Sequence, residues 1–207
     1  MTFTLLDWSA IIGYLAITLL LGVGTAAAQD AYFDVGYFTN ANASGAPSAH
    51  LRLTNDGAGA PVDDPPPVTQ PLCANIYVFD SAEEMQECCS CEITPNGYLD
   101  LAVNTNLLGN ILDHGTKPTR GFIAEVSTLV NIDGCTPIGG SSALGIKGWL
   151  THVQKGATAG TYSLTETPLT DSSESGAEII EDLLVTCEFV QSLGTGTGVC
   201  SCADAGD

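Results

Sequence analysis

The stretch ECCSCEIT, residues 87–94, places Cys88, Cys89 and Cys91 within four positions, and the fold turns on what those thiols do. They belong to a set of eight with Cys73, Cys135, Cys187, Cys200 and Cys202. An even count in an exported chain reads as disulfides, because no glutathione pool keeps thiols reduced outside the cytoplasm. Sequence alone leaves on the order of 100 pairings open. Cys88 and Cys89 are poor partners for each other, since neighbouring Cα atoms lie about 3.8 Å apart and a bridge wants roughly 4.4–6.8 Å. They are expected to point to different partners. Cys200 and Cys202 sit in GVCSCADAGD, a terminal stretch that would otherwise fray, and one or both are expected to bridge back to the 88–91 cluster. A thiolate metal site is the alternative, but neither CC nor CSC has the C-x₂₋₄-C spacing of structural zinc, and no C-x-x-C-H haem signature occurs. A C-x-C pair suits copper(I) at best, so no metal ligands are expected.

Working outward, the amino-terminal side supports export. Ser9 to Ala28 carry no charge and close on small residues before Gln29 and Asp30, which resembles a secretory signal with an A-x-A-like cut near Ala28. Asp7 stands where a signal usually has Lys or Arg, so residues 1–28 read as a signal peptide or as an uncleaved anchor, twenty residues at about 1.5 Å each just crossing a roughly 30 Å bilayer core. Residues 29–207 are then expected to form a single β-rich secreted domain. The 24 acids against five Lys and Arg give a formal charge of −19. Such a surface repels phosphate backbones and anionic lipid, so neither nucleic acid nor, after signal cleavage, a membrane is expected as a partner.

The rest of the chain alternates in short segments punctuated by Gly, Pro, Asn and Asp, the signature of a mainly β protein. AYFDVGYF sets Phe33, Val35 and Tyr37 on one face, HLRLT alternates Leu51 and Leu53, and YLDLAV sets Leu99, Leu101 and Val103 against Tyr98 and Asp100. ANIYVFD is dense in β-branched and aromatic residues, as a buried strand is. GFIAEVSTLV places Phe122, Ala124, Val126 and Val130 opposite Glu125 and Ser127, and LGIKGWLTHV and TYSLTET follow. About seven strands predict an antiparallel β-sandwich or distorted barrel, stapled by disulfides. Two helices are expected to interrupt it. SGAEIIEDLLVTCEFVQSLG, residues 175–194, opens with a capping box, Ser175 and Glu178, and puts Ile180, Leu183, Leu184, Cys187 and Val190 on one face. SAEEMQECC repeats the device with Ser81 and Glu84 and predicts a helical turn delivering Cys88 and Cys89 to the core. Residues 55–71, rich in proline, predict a flexible loop.

Chemistry is sparse. GGSSALG misses the G-x-S-x-G elbow because Leu144 stands where the second glycine belongs. His50, His114 and His152 lie far apart with no metal-binding spacing, and Asp113-His114 sits in a stretch that turn chemistry explains. GTGTG, residues 194–198, follows a helix, whereas a phosphate cradle precedes one. Asp56, Asp63 and Asp64 are the acids to which calcium would come if any does, yet no calcium-loop pattern supports it and solvated loop acids are the plainer reading. No catalytic and no cofactor-binding residues are therefore assigned.

Two further stretches carry a resemblance. LCANIYVFD…EMQECCSCEITPNGYLDLAVNTNLLGN, residues 72–110, and CEFVQSLGTGTGVCSC, residues 187–202, resemble a group of uncharacterised, secreted, cysteine-rich proteins of soil bacteria that carry a CCxC block. That resemblance implies secretion and one unified domain. The expectation drawn is a non-enzymatic extracellular surface, matrix or filament subunit assembling through β edges, with the N-terminal AYFDVGYFTN the segment that would complete a neighbour's sheet. The alternatives are a secreted binding module for a carbohydrate or small ligand, and a secreted hydrolase built on Asp113, His114 or a carboxylate pair.

Overall fold

The computed structural model describes residues 31–40, 45–61, 69–112, 117–137, 139–172, 176–193 and 196–202. Strand β3 (Leu72–Asp80) is buried on both faces from Leu72 to Phe79, the polar Asn75 included. The other strands are β1 (Phe33–Thr39), β2 (His50–Pro61), β4 (Met85–Ile93), β5 (Tyr98–Ala102), β6 (Arg120–Leu129), β7 (Ala143–Lys155), β8 (Tyr162–Pro168) and β9 (Thr170–Asp171). A π-helical turn, Val103–Leu107, follows β5, and helix α1 spans Gly176–Leu193. Seven strands run in the order β4-β3-β6-β1-β7-β2-β5, with β8 added to β7 and β9 to β1. The sheet curls around one interior as a nearly closed barrel. The expected disulfide-stapled, distorted β barrel with a C-terminal helix is what the chain forms, and it is mixed, because β1 and β7 run parallel where Thr39 meets His152.

Alternation along each strand sorts side chains into two cores. Leu51, Leu53, Ile76, Val78, Leu99, Leu101, Ile123 and Leu150 fill the barrel. Phe33, Tyr77, Phe79, Ala124 and Val126 point outward into a second cluster, closed by Leu183, Cys187 and Val190 of α1. The face expected from AYFDVGYF and GFIAEVSTLV is therefore real but is the outer one, and the helix is why the outside of these strands is apolar. Truncating any fully buried leucine, such as Leu51, costs about 2–5 kcal/mol.

The barrel's seam is closed by the C-terminal tail. On one side the Cys88 N–H donates to the Gly198 carbonyl at 2.9 Å and the Cys200 N–H to the Cys88 carbonyl at 3.4 Å. On the other, the Gly198 N–H donates to Asn110 at 2.7 Å and the Ser201 N–H to Asn106 at 2.9 Å. Residues 198–201 thus bridge β4 and the segment after β5, the two ends of the strand order.

Two expectations fail for identifiable reasons. Residues 81–89 form no helical turn. Asp80 Oδ1 accepts the N–H groups of Ala82 at 2.8 Å and Glu84 at 3.1 Å, Glu83 takes φ 65°, and the chain reverses straight into β4. An aspartate caps the turn where Ser81 was expected to start a helix. The loop expected at 55–71 is shorter, because β2 continues to Pro61 through a bulge between Asn55 and Ala60. Asn55 makes the bulge possible: Oδ1 accepts from Gly57, and Nδ2 donates to the carbonyls of Gln70 and Ile93, each bond 3.0 Å long. Ser175 and Gly194, the expected ends of the helix, lie outside the described residues, as do residues 62–68.

Candidate functional site

The outer face of β1 and β6 is only partly roofed by α1, and the uncovered part is an apolar groove. Phe33, Val35, Phe79, Phe122 and Ala124 form its floor and Ile179 and Leu183 its wall, around a cavity of about 430 Å³. Val35 and Phe122 carry it into a second hollow of about 400 Å³ beside Tyr37 and Pro168. Tyr37 and Phe122 continue into a third, of about 340 Å³, that ends at Arg120. On the floor Phe79 and Phe122 stack with centroids 4.4 Å apart and ring planes 6° from parallel.

Helix α1 has two apolar stripes. One, Leu183, Cys187 and Val190, is buried and tethered to β4 through Cys88–Cys187. Val185, Phe189 and Leu193 follow one another at helical spacing and are 62%, 59% and 54% exposed. Asp182, Thr186, Phe189 and Leu193 also share a face by spacing, so the groove wall runs on into this stripe.

The exterior of β5, β2, β7 and β8 carries charges that satisfy one another. Asp100 takes His50 Nδ1 at 2.5 Å, Arg52 Nε at 3.2 Å and the Tyr98 hydroxyl at 3.1 Å, while Arg52 also pairs with Glu166. Burial pushes the Asp100 carboxyl up, but His50, Tyr98 and Arg52 outweigh it and hold the group below its ordinary value. Carboxylates so engaged are poor general acids.

The interior is different. Asp34 on β1 and Glu125 on β6 face each other in register and are fully buried. Burial first, then the Asp171 charge, pushes Asp34 up to about 6. Burial, then the charge of Asp34, raises Glu125 well above its ordinary range against an opposing hydrogen bond from Ser127. At the far end, burial lifts Glu87 to about 7, although the Asn110 N–H and Lys117 pull it down.

All eight cysteines are paired: Cys73–Cys135, Cys88–Cys187, Cys89–Cys200 and Cys91–Cys202, with Cα separations of 5.5, 5.9, 5.2 and 5.6 Å. Cys88 and Cys89 part company because adjacent strand residues face opposite ways, one to the helix and the other to the tail. Asp56 pairs with Lys147 at 3.5 Å and caps Ala58, whereas Asp63, Asp64, Asp113 and His114 lie outside the described residues. His152 is buried, bonds Thr167 Oγ1 at 2.7 Å and packs on Tyr37 at 4.3 Å. The structure does not bring it to His50, which pairs with Asp100. Ser142 forms a bridge with Thr128, and Gly196 and Gly198 supply positive φ in the turn from α1 to the tail. The groove and the acid pair were missed; the acid pair's signal, Glu125 inside an apolar alternation, is visible in the sequence, whereas the groove depends on where α1 crosses β1 and β6.

No protein-family model and no curated protein matches this chain. A solved structure, "Crystal Structure of Thermotoga maritima 1070", is similar with a TM-score of 0.43 and 15% identity, over 70% of this chain and 98% of that one. The four disulfides suit an oxidising compartment. Among the described residues no helix is long and apolar enough to cross a membrane.

Proposed function

We propose that the protein is a secreted, non-enzymatic subunit that assembles with copies of itself, the exposed stripe of α1 in one copy seated in the apolar groove of the next. The carrying observation is the stripe Val185, Phe189 and Leu193, left in water on a helix whose opposite stripe is already buried. The stripe adjoins the groove wall but lines no part of the cavity, so seating one copy's stripe in the next copy's groove is heterologous and repeats into an open filament unless its rotation closes a ring. Charge does not drive the contact: Glu181 and Glu188 flank the stripe, and Arg120 at the far end of the groove stands beside Asp80 and Glu83.

Burying three such side chains is worth about 1.5–3 kcal/mol each at full coverage, against several kcal/mol of association entropy. The contact is therefore weak, and the −19 charge opposes it until salt screens the repulsion. Sheet edges contribute less than the sequence suggested. The AYFDVGYFTN segment is already built in as β1, paired with β6 along its length. The edge strand β8 carries Glu166 and ends on Pro168, both of which discourage strand addition.

The test is sedimentation and electron microscopy of the disulfide-intact protein across a salt series. Species should grow with concentration and with salt. Phe189→Glu in the stripe and Val35→Glu in the groove should each leave monomers, while an equimolar mixture of the two gives a heterodimer through its one intact contact. Monomers at every concentration and salt would sink the proposal. One observation favours a second reading, a binding module for a small ligand with an acidic group: Lys117 and Arg120 outnumber Asp80 in a polar cleft of about 350 Å³ that Ser81, Gln86 and Thr119 also line. Ligand-dependent melting with small carboxylates or acidic sugars, and none with neutral sugars, would support it.

A further inference from the structure

Asp34 and Glu125 are cross-strand partners on the face that looks into the barrel. Such partners hold their Cβ atoms roughly 4.5–5.5 Å apart, so the two carboxylates share one small volume. Neither oxygen of Asp34 has a hydrogen-bond partner although the side chain is fully buried. Glu125 is met by the Ser127 hydroxyl, which lies 3.1 Å from Oε1 and 3.4 Å from Oε2. Strand β9 sets Asp171 opposite Asp34 and adds a third negative charge. Among the described residues, the ion pairs of His50, Arg52 and Lys147 all go to Asp100, Glu166 and Asp56. None reaches this pair.

A buried carboxylate without a counter-charge costs several kcal/mol, and a second one beside it makes matters worse. A pair of valines would fill the same positions without that penalty. The arrangement makes physical sense when a positive charge sits between the groups. We propose that Asp34, Glu125 and Ser127 form an interior site for one hard divalent cation of the calcium class, tying β1 to β6. Two carboxylates and a hydroxyl offer five oxygens and no nitrogen or sulfur, which selects against zinc and copper. Magnesium demands a strict octahedron at about 2.0–2.1 Å and sheds water reluctantly, whereas calcium accepts irregular, bidentate carboxylate shells with water completing them.

The experiment compares melting of the disulfide-intact protein after chelator treatment with melting in CaCl₂, in MgCl₂ and in NaCl of equal ionic strength, together with calorimetric titration by CaCl₂. One tight calcium per chain should raise the melting temperature, and magnesium should do so less. Asp34→Asn should abolish that step and, having lost an unpaired buried charge, should melt higher than the native chain in chelator. Ser127→Ala keeps both carboxylates and should weaken calcium by about tenfold or more. Calcium held loosely by surface acids is common to native and variant chains, so an equal response in both would overturn the site. So would a melting temperature that moves with pH and not with calcium, which would mean that the carboxylates share a proton.

Discussion

Cys89–Cys200 and Cys91–Cys202 are rungs two residues apart on both β4 and the tail, and their energies should not add as separate crosslinks. Each spans 111 residues. Taken alone, a loop of that length would restrict the unfolded chain by about 4.8 kcal/mol. Neither is alone. Cys88–Cys187 already joins β4 to the helix, so Cys89–Cys200 closes a residual loop of about 14 residues worth about 3 kcal/mol. With that rung in place, Cys91–Cys202 closes a ring of a few residues, worth about 2 kcal/mol. Removing either rung alone, as Cys89→Ala with Cys200→Ala or as Cys91→Ala with Cys202→Ala, should therefore cost about 2 kcal/mol, and removing both about 5 kcal/mol. The assay is urea unfolding of the three variants with the other bridges confirmed by mass. Proteolysis at the C-terminus should rise sharply only when both rungs are gone, because either one holds residues 198–201 in the seam. A single-rung loss near 5 kcal/mol would refute the nested-loop reasoning, since it would mean that each bridge acts on the full 111-residue span.

Other outcomes follow from single positions. Gly121→Ala places a Cβ 1.9 Å from the Phe79 carbonyl oxygen and 3.0 Å from the Phe38 ring, so β3 and β6 must part and stability should fall by about 3 kcal/mol in thermal melts. Gly139→Ala meets its nearest neighbour at 3.6 Å and should change stability by less than about 0.5 kcal/mol. Phe189→Glu should leave the melting temperature within about 2 °C of native while removing assembly, because the side chain is 59% exposed in the monomer. In chelator the protein should grow less stable as pH rises from about 4 to 7. Asp34, raised from 3.8 to about 6, and Glu87, raised to about 7, keep their protons in the fold after the unfolded chain has released them. Asp34 accounts for about 3 kcal/mol of that loss at most, so Asp34→Asn should make the profile shallower between pH 4 and 6, leaving the share of Glu87 and Glu125. A native profile that rises through this window would contradict the assignment.

Much of the barrel was legible because its strands obey simple alternation. HLRLT and YLDLAV place Leu51, Leu53, Leu99 and Leu101 inside and charged residues outside, as period-two reading demands. The same rule sorts β1 and β6 onto two faces, but it does not say that both are covered: Phe33 and Val126 lie beneath the helix while Asp34 and Glu125, the polar side, are buried toward the barrel. The reading of SAEEMQECC failed because a capping box and an aspartate turn compete for the same N–H groups, and Asp80, one residue earlier, takes them. Nothing local announces the tail as a seam-closing element. That role depends on β4 and β5 ending the strand order, which is set by pairings far apart in the chain. The groove was hidden for a related reason, because only the angle of α1 across β1 and β6 decides which outward side chains are roofed.

The double staple and the buried acids belong to one design problem. A barrel whose first strand meets β7 through a single parallel pair has a weak side there, and β1 depends on β6 for its ladder. The other weak side, between β4 and β5, is filled by a tail that frays without covalent help. Two sulfur rungs secure that second side. On the first, Asp34 and Glu125 stand across the one long ladder that holds β1, and ionised without a counter-charge they would loosen it. A cation shared between them converts that liability into a clasp, so the two seams are fastened by different chemistry: one answers to reductant, the other to chelator. Treating the protein with either agent alone should then open different segments, β1 exchanging its amide hydrogens first in chelator and residues 198–201 first in reductant. If both agents released the same amides together, the seams would be one cooperative unit and the division argued here would be wrong.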